Sequence, residues 1–368
     1  MRIRFWTMAV LGAVLGLGSL IDAGLVTPVA HAQSSAQDAR VAEEVRLFGN
    51  YNAAHQAVVF PVVQSLNNPE TLQLLNAMFA TGEGGGTDDL ERSLETFEAF
   101  AADVVRASLE AEAAIPPKPT FDTLLKVAPS QGRDLVKMAD LIEANTQAVV
   151  RDVRSLPVEL ADAGRAMLAG DDEAIVKASR LMLVGLLSTL KSENRTMEAQ
   201  IPLLERRGQP MRQIVQMQLK NNRATATESE MDLSDFDAPL DEASDVRAAR
   251  RRPFIQRMKR DIKGWKAVET TGRAQIDAQQ RTFTAAVAST SDPKLKDMLT
   301  TIRKRAPEML GEAFDVESQL LELMEQRIAQ LEENGPDMET ELESILERET
   351  ELVMRRLKLA AERTALLQ

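Results

Sequence analysis

The chain of 368 residues contains no cysteine. Disulfides, Cys-based zinc sites, covalent haem attachment through Cys-x-x-Cys-His and thiol nucleophiles are all excluded by that absence. Histidine is almost as scarce, with only His31 and His55 present, which leaves no paired Glu-x-x-His ligands of the di-iron bundle type. Aromatic residues make up 4% of the chain, with a single tyrosine, Tyr51. A composition so poor in aromatics and so rich in Ala, Leu, Glu, Arg and Met favours helix over sheet.

Motifs of catalysis are lacking as well. After the N-terminal segment there is no Gly-x-Ser-x-Gly turn, and the glycine run in GEGGG has no Lys-Ser/Thr behind it and a glutamate within it that would repel phosphate. The expectation is a protein that is not an enzyme and carries no metal or cofactor. Long apolar runs are missing beyond the N-terminus: the strongest, Leu181 to Leu190, is about half of what a membrane span needs.

The N-terminus is what remains to be explained. Arg2 and Arg4 precede an apolar run from Phe5 to Ile21, and the small-x-small ending Ala30, His31, Ala32 follows. This is the layout of a secretory signal peptide over residues 1–32, with cleavage expected between Ala32 and Gln33; an uncleaved anchor is the competing reading. Cleavage predicts a periplasmic or secreted protein with no transmembrane helix. It also takes the net charge from −12 to −13 by removing Arg2, Arg4 and Asp22.

Periodicity then places helices along the chain. Val41, Val45, Phe48, Tyr51, His55, Val58, Val62 and Leu66 recur at spacings of three and four, one face of a helix that Pro61 should kink rather than end. Asn68-Pro69 reads as an N-cap and first helical residue, and Thr87 or Asp88 as the next cap. The proline-rich IPPKPT (115–120) must be a connector, because prolines forbid helix continuation. Further helices are expected near 121–127, 131–156, 159–168 and 171–207, then 253–288, a short helix from Pro293 through Ile302, and a C-terminal hairpin over 307–367. The fold class expected is all-α: an elongated helical bundle with long antiparallel helices and a coiled-coil-like C-terminal hairpin. An N-terminal helical domain (33–222) and a C-terminal one (246–368) are expected to flank an acidic linker or loop (223–245).

Charge is distributed in blocks. Glu228 to Asp245 holds eight acids and no base, whereas Arg247 to Lys266 holds nine bases against the single acid Asp261. Arg250, Arg251, Arg252, Arg257, Lys259, Arg260 and Lys263 could bind an anionic partner such as a membrane surface; nucleic acid is disfavoured in an exported acidic protein. The competing expectation is that the acidic run folds back and neutralises the basic one.

Tyr51 and His55 stand one helical turn apart on the apolar face of the first helix. A lone inward histidine is expected as a hydrogen-bonded core residue, with Tyr51 as its available partner at i,i+4. The functional version is a small-molecule or haem pocket at that pair. Two functions follow as expectations. The first is an exported non-catalytic interaction or scaffold protein of the bacterial cell envelope, meeting a protein partner or itself through helix faces, for which an exposed apolar row on the hairpin is decisive. The alternative is a periplasmic ligand-sensing or ligand-carrying bundle, for which a pocket meeting Tyr51 and His55 is decisive.

Overall fold

The computed structural model describes residues 35–65, 68–82, 87–171, 173–205, 210–239, 242–289, 293–333 and 338–367. The N-terminal segment with Ala32 and Gln33 lies outside them, as do positions 83–86 and 334–337. Every regular element among the described residues is an α-helix, so an all-α helical bundle forms as composition and periodicity predict. The contacts divide it into two compact units, one of residues up to Thr196 with Leu233–Asp237, the other of Met197–Asp232 with the residues from Ala238 onward.

The first unit begins with α1 (Ser35–Ser65), α2 (Pro69–Gly82) and α3 (Thr87–Ala113). The apolar stripe of α1 points inward: Phe48, Tyr51, His55, Val58 and Val62 are all buried. Pro61 lies inside α1, which continues to Ser65. At the start of α2 the Asn68 side-chain carbonyl accepts the Glu70 backbone N–H at 3.1 Å, the capping bond its sequence promised. Beyond the proline connector come α4 (Asp122–Val127), α5 (Pro129–Asp152), α6 (Leu156–Leu168) and α7 (Ala174–Glu205), which begins in this unit. Helix α1 packs on α3, α4 and α5, while α3 packs on α2 and α6.

Short α4 has no capping side chain of its own. Instead the Glu44 carboxylate of α1 accepts the backbone N–H groups of Thr123 at 2.7 Å and Leu124 at 2.8 Å. A distant carboxylate thus satisfies two orphan donors and complements the helix dipole. Replacing Glu44 with alanine is expected to cost about 1–2 kcal/mol, on the scale of a lost cap; an unchanged urea midpoint would show that water replaces it.

In the second unit, α8 (Met211–Phe236), α9 (Ser244–Ile262), α10 (Trp265–Ser289), α11 (Pro293–Glu333) and α12 (Met338–Leu367) follow the end of α7. Its core joins Ile214, Met217 and Met231 of α8 to Ile255, Met258 and Ile262 of α9, Trp265 of α10, and Phe314, Leu321 and Ile328 of α11. A second seam brings Val316 and Leu320 of α11 against Val353 and Leu359 of α12.

Three segments differ from the expected elements. Residues 223–236, expected as acidic linker, continue α8, and Thr227, Ser229 and Met231 are buried there. The helix expected over 253–288 is divided between α9 and α10, because Gly264 adopts φ +78°, a left-handed conformation open to glycine at little cost. By contrast, the break expected between Ile302 and Pro307 is absent: α11 runs continuously with Pro307 inside it. Proline sacrifices one backbone bond in such a position, and the packing of a 41-residue helix on α10 and α12 outweighs that local loss.

Candidate ligand-binding site

A cavity of about 320 Å³ opens in the first unit, lined by Tyr51 and His55 of α1, Glu112 of α3, Ile115, Pro116 and Lys118 of the connector, and Glu143, Thr146, Gln147 and Val150 of α5. Its volume falls at the small end of the range for ligand pockets. The contribution of α5 comes from helical spacing, since positions 143, 146, 147 and 150 share one face. The connector supplies another wall because Pro116, Pro117 and Pro119 hold it out of helix. Tyr51 and His55 form the buried end, 2% and 5% exposed.

His55 is fixed by α5 rather than by its neighbour. Its Nδ1 lies 2.8 Å from Thr146 Oγ1, and the Thr146 hydroxyl donates to the Ile142 carbonyl at 3.0 Å. A hydroxyl has one hydrogen, so Thr146 accepts from His55 and Nδ1 must carry the proton. The acceptor lone pair is therefore on Nε2, which is buried without a protein partner. The expected Tyr51 partnership is a ring contact: the centroids stand 4.4 Å apart, inclined at 60°.

Burial pushes the His55 pKa down, with the Glu143 charge opposing that shift and Lys118 reinforcing it. The Tyr51 hydroxyl is pushed up, first by burial and then by the Glu143 charge. Above them, Lys118 pairs with Asp140 and, at 2.9 Å, with Glu143; these two bonds raise its pKa. Glu112 pairs with Arg154.

The depressed His55 pKa makes stability depend on pH. Below the ordinary histidine value of about 6.5 the unfolded chain takes up a proton that the folded chain resists, so stability falls as pH drops through that value. His55→Gln is expected to lose this component while keeping the acid sensitivity of the carboxylates; parallel urea titrations across that pH range would show whether the two curves separate. Thr146→Val, which leaves Nδ1–H without an acceptor, is expected to cost about 1–3 kcal/mol.

The basic segment is assembled differently. Arg250 forms a two-pronged pair with Glu242, at 3.0 Å from Nε to Oε1 and 2.6 Å from Nη2 to Oε2. Arg257 pairs with Glu230, and Lys259 with Glu332 at 2.6 Å. Acids of the 228–245 run thus do meet bases of the following helix. Arg251 is partly buried, whereas Arg252, Arg260 and Lys263 are exposed. Three of the seven bases, Arg250, Arg257 and Lys259, are thus paired with carboxylates of their own unit.

Comparison with known proteins gives no relative. No family model matches the chain, and neither a curated protein nor a solved structure matches it significantly. What the site can do must therefore come from its residues. Among the described residues no group of three or more histidine and carboxylate side chains is placed to hold a metal ion, and no helix is long and apolar enough to cross a membrane.

Sequence reasoning reached Tyr51 and His55 through their rarity and their place on the α1 stripe. It missed Glu112, Lys118, Glu143, Thr146 and Gln147. A signal for these did exist in the proline connector, which has to be covered by something, and in the polar positions of α5 beside its inward residues Ile142 and Val149.

Proposed function

We propose that this protein is an exported, non-catalytic helical bundle that binds a small molecule in the pocket at Tyr51 and His55. The observation that carries the reading is the pocket itself, which meets both residues and leaves a buried imidazole nitrogen without a protein donor. The scaffold reading has less support. Its decisive feature is an exposed apolar row on α11 and α12, and among the described residues Met354 is the one large apolar side chain exposed there. Export is inferred from the signal-like N-terminus.

The test is a thermal-shift screen of a metabolite panel against the wild type and Gln147→Trp. Gln147 is exposed on the pocket wall, so the indole blocks the cavity while the core stays intact. Compounds that raise Tm of the wild type and not of the variant are expected. A panel without stabilisers, or stabilisation insensitive to the blocked pocket, would remove the reading.

A further inference from the structure

Resting on that reading, we infer that the pocket takes a small organic cation, an ammonium group carried on a compact apolar body. Three observations converge on this class. The lining has two carboxylates, Glu112 and Glu143, against one cation, Lys118. Adding the outer partners of these groups, Asp140 for Lys118 and Arg154 for Glu112, leaves the same imbalance of one negative charge. A bound cation neutralises that excess, whereas a bound anion doubles it.

The hydrogen-bonding groups point the same way. The Thr146 hydroxyl has its proton committed to Ile142, and His55 offers the cavity no donor, because its Nδ1–H is held by Thr146. Glu112 and Glu143 are acceptors, and the donors of Lys118 are directed at Asp140 and Glu143. The donors left on this lining are the Tyr51 hydroxyl and the Gln147 amide, against the carboxylates of Glu112 and Glu143, and an ammonium supplies three more.

The third observation concerns shape. Ile115, Pro116 and Val150 give the cavity an apolar side, and Tyr51 lines the same space, with a ring face of the kind that attracts cations. The ligand that matches is therefore amphipathic. An inorganic cation matches poorly, because no cluster of three ligating side chains is present among the described residues. Lys118 already shows the recognition at work, since its ammonium is held by Glu143 from the same rim.

The experiment uses the full chain and three probes of one ring size: benzylamine, benzyl alcohol and benzoate, titrated at neutral pH while the His55 imidazole signals are followed by NMR and assigned with His55→Gln. Benzylamine is expected to shift these signals saturably, benzyl alcohol to bind at least tenfold more weakly, and benzoate not to bind. Glu143→Gln, in which Lys118 keeps Asp140, is expected to weaken benzylamine about tenfold and leave the alcohol unchanged. Equal or tighter binding of the alcohol or benzoate would overturn the cation class while leaving the pocket as a ligand site. No response to any of the three would also overturn it, and the metabolite screen with Gln147→Trp then decides separately whether the pocket binds anything. An unaltered benzylamine affinity in a folded Glu143→Gln variant, its Tm matching the wild type, would count against it as well.

Discussion

Arg327→Met is expected to destabilise the second unit by about 3–5 kcal/mol. Arg327 of α11 is almost fully buried and bonds Glu228 of α8 at 2.7 Å, with Glu349 of α12 on its other nitrogen. Removing the cation leaves two carboxylates facing each other in a nearly dry site, and an uncompensated buried charge costs several kcal/mol. Burial pushes the Glu228 carboxyl up and Arg327 opposes it. Without the arginine nothing opposes the upward push of burial on Glu228, so the deficit should be largest at neutral pH and shrink on acidification, as a proton neutralises that acid. Replacing the whole triad by Met and Leu of similar volume is expected to recover most of the loss. Urea denaturation of the single and triple variants at two pH values measures both claims; a triple variant as unstable as the single one would mean that the triad contributes more than mutual neutralisation.

The second large effect is expected at the crossing of α10 and α11. Phe314 is completely buried and its ring lies against Gly272, where an added Cβ would overlap the ring and come within 2.9 Å of Gln213 Cβ. Arg273 stacks over the same ring with its guanidinium 5.7 Å from the centroid. Phe314→Ala is expected to cost about 3–5 kcal/mol by leaving a cavity, and Gly272→Ala about 1–3 kcal/mol by overpacking. Because one substitution makes the room the other lacks, Gly272→Ala combined with Phe314→Leu should cost less than the sum of its parts. A double-mutant cycle that adds within error would mean that the two residues do not compete for one space.

The buried triad also bears on catalysis. An enzyme reading would need a buried carboxylate pair with perturbed protonation. Glu228 and Glu349 come together in the second unit, but each gives an oxygen to Arg327, a structural cation between them. The pocket at Tyr51 and His55 instead offers an open space of ligand size lined by polar groups, which suits binding.

How far the sequence could be read depended on the range of the interaction. The stripe from Phe48 to Val62 on α1 was legible because a helix repeats its inward face every three or four residues, a property of the backbone alone. The Asn68-Pro69 start was legible for a similar reason: capping is local. The extent of α8 was not. A run of eight acids without a base reads as unfoldable until Arg327, Arg257 and Arg250 arrive to pair with Glu228, Glu230 and Glu242. The partners of Glu228 and Glu230 lie 99 and 27 positions away. Pro307 misled in the opposite direction, because its local cost is visible in sequence and the packing that offsets it is not.

By itself, then, the amino-acid sequence determined the helical class, the inward orientation of Tyr51 and His55, and the exclusion of cysteine chemistry, since each follows from residue type and spacing of four or less. Tertiary structure alone decided that His55 would bond Thr146, 91 positions away, and that a proline connector and one face of α5 would close a pocket around it. It decided equally that the first part of the acidic run, through Phe236, would be helix. Those outcomes depend on which groups the fold brings within a few ångströms, and hydrogen bonds and charge pairs act only at that distance.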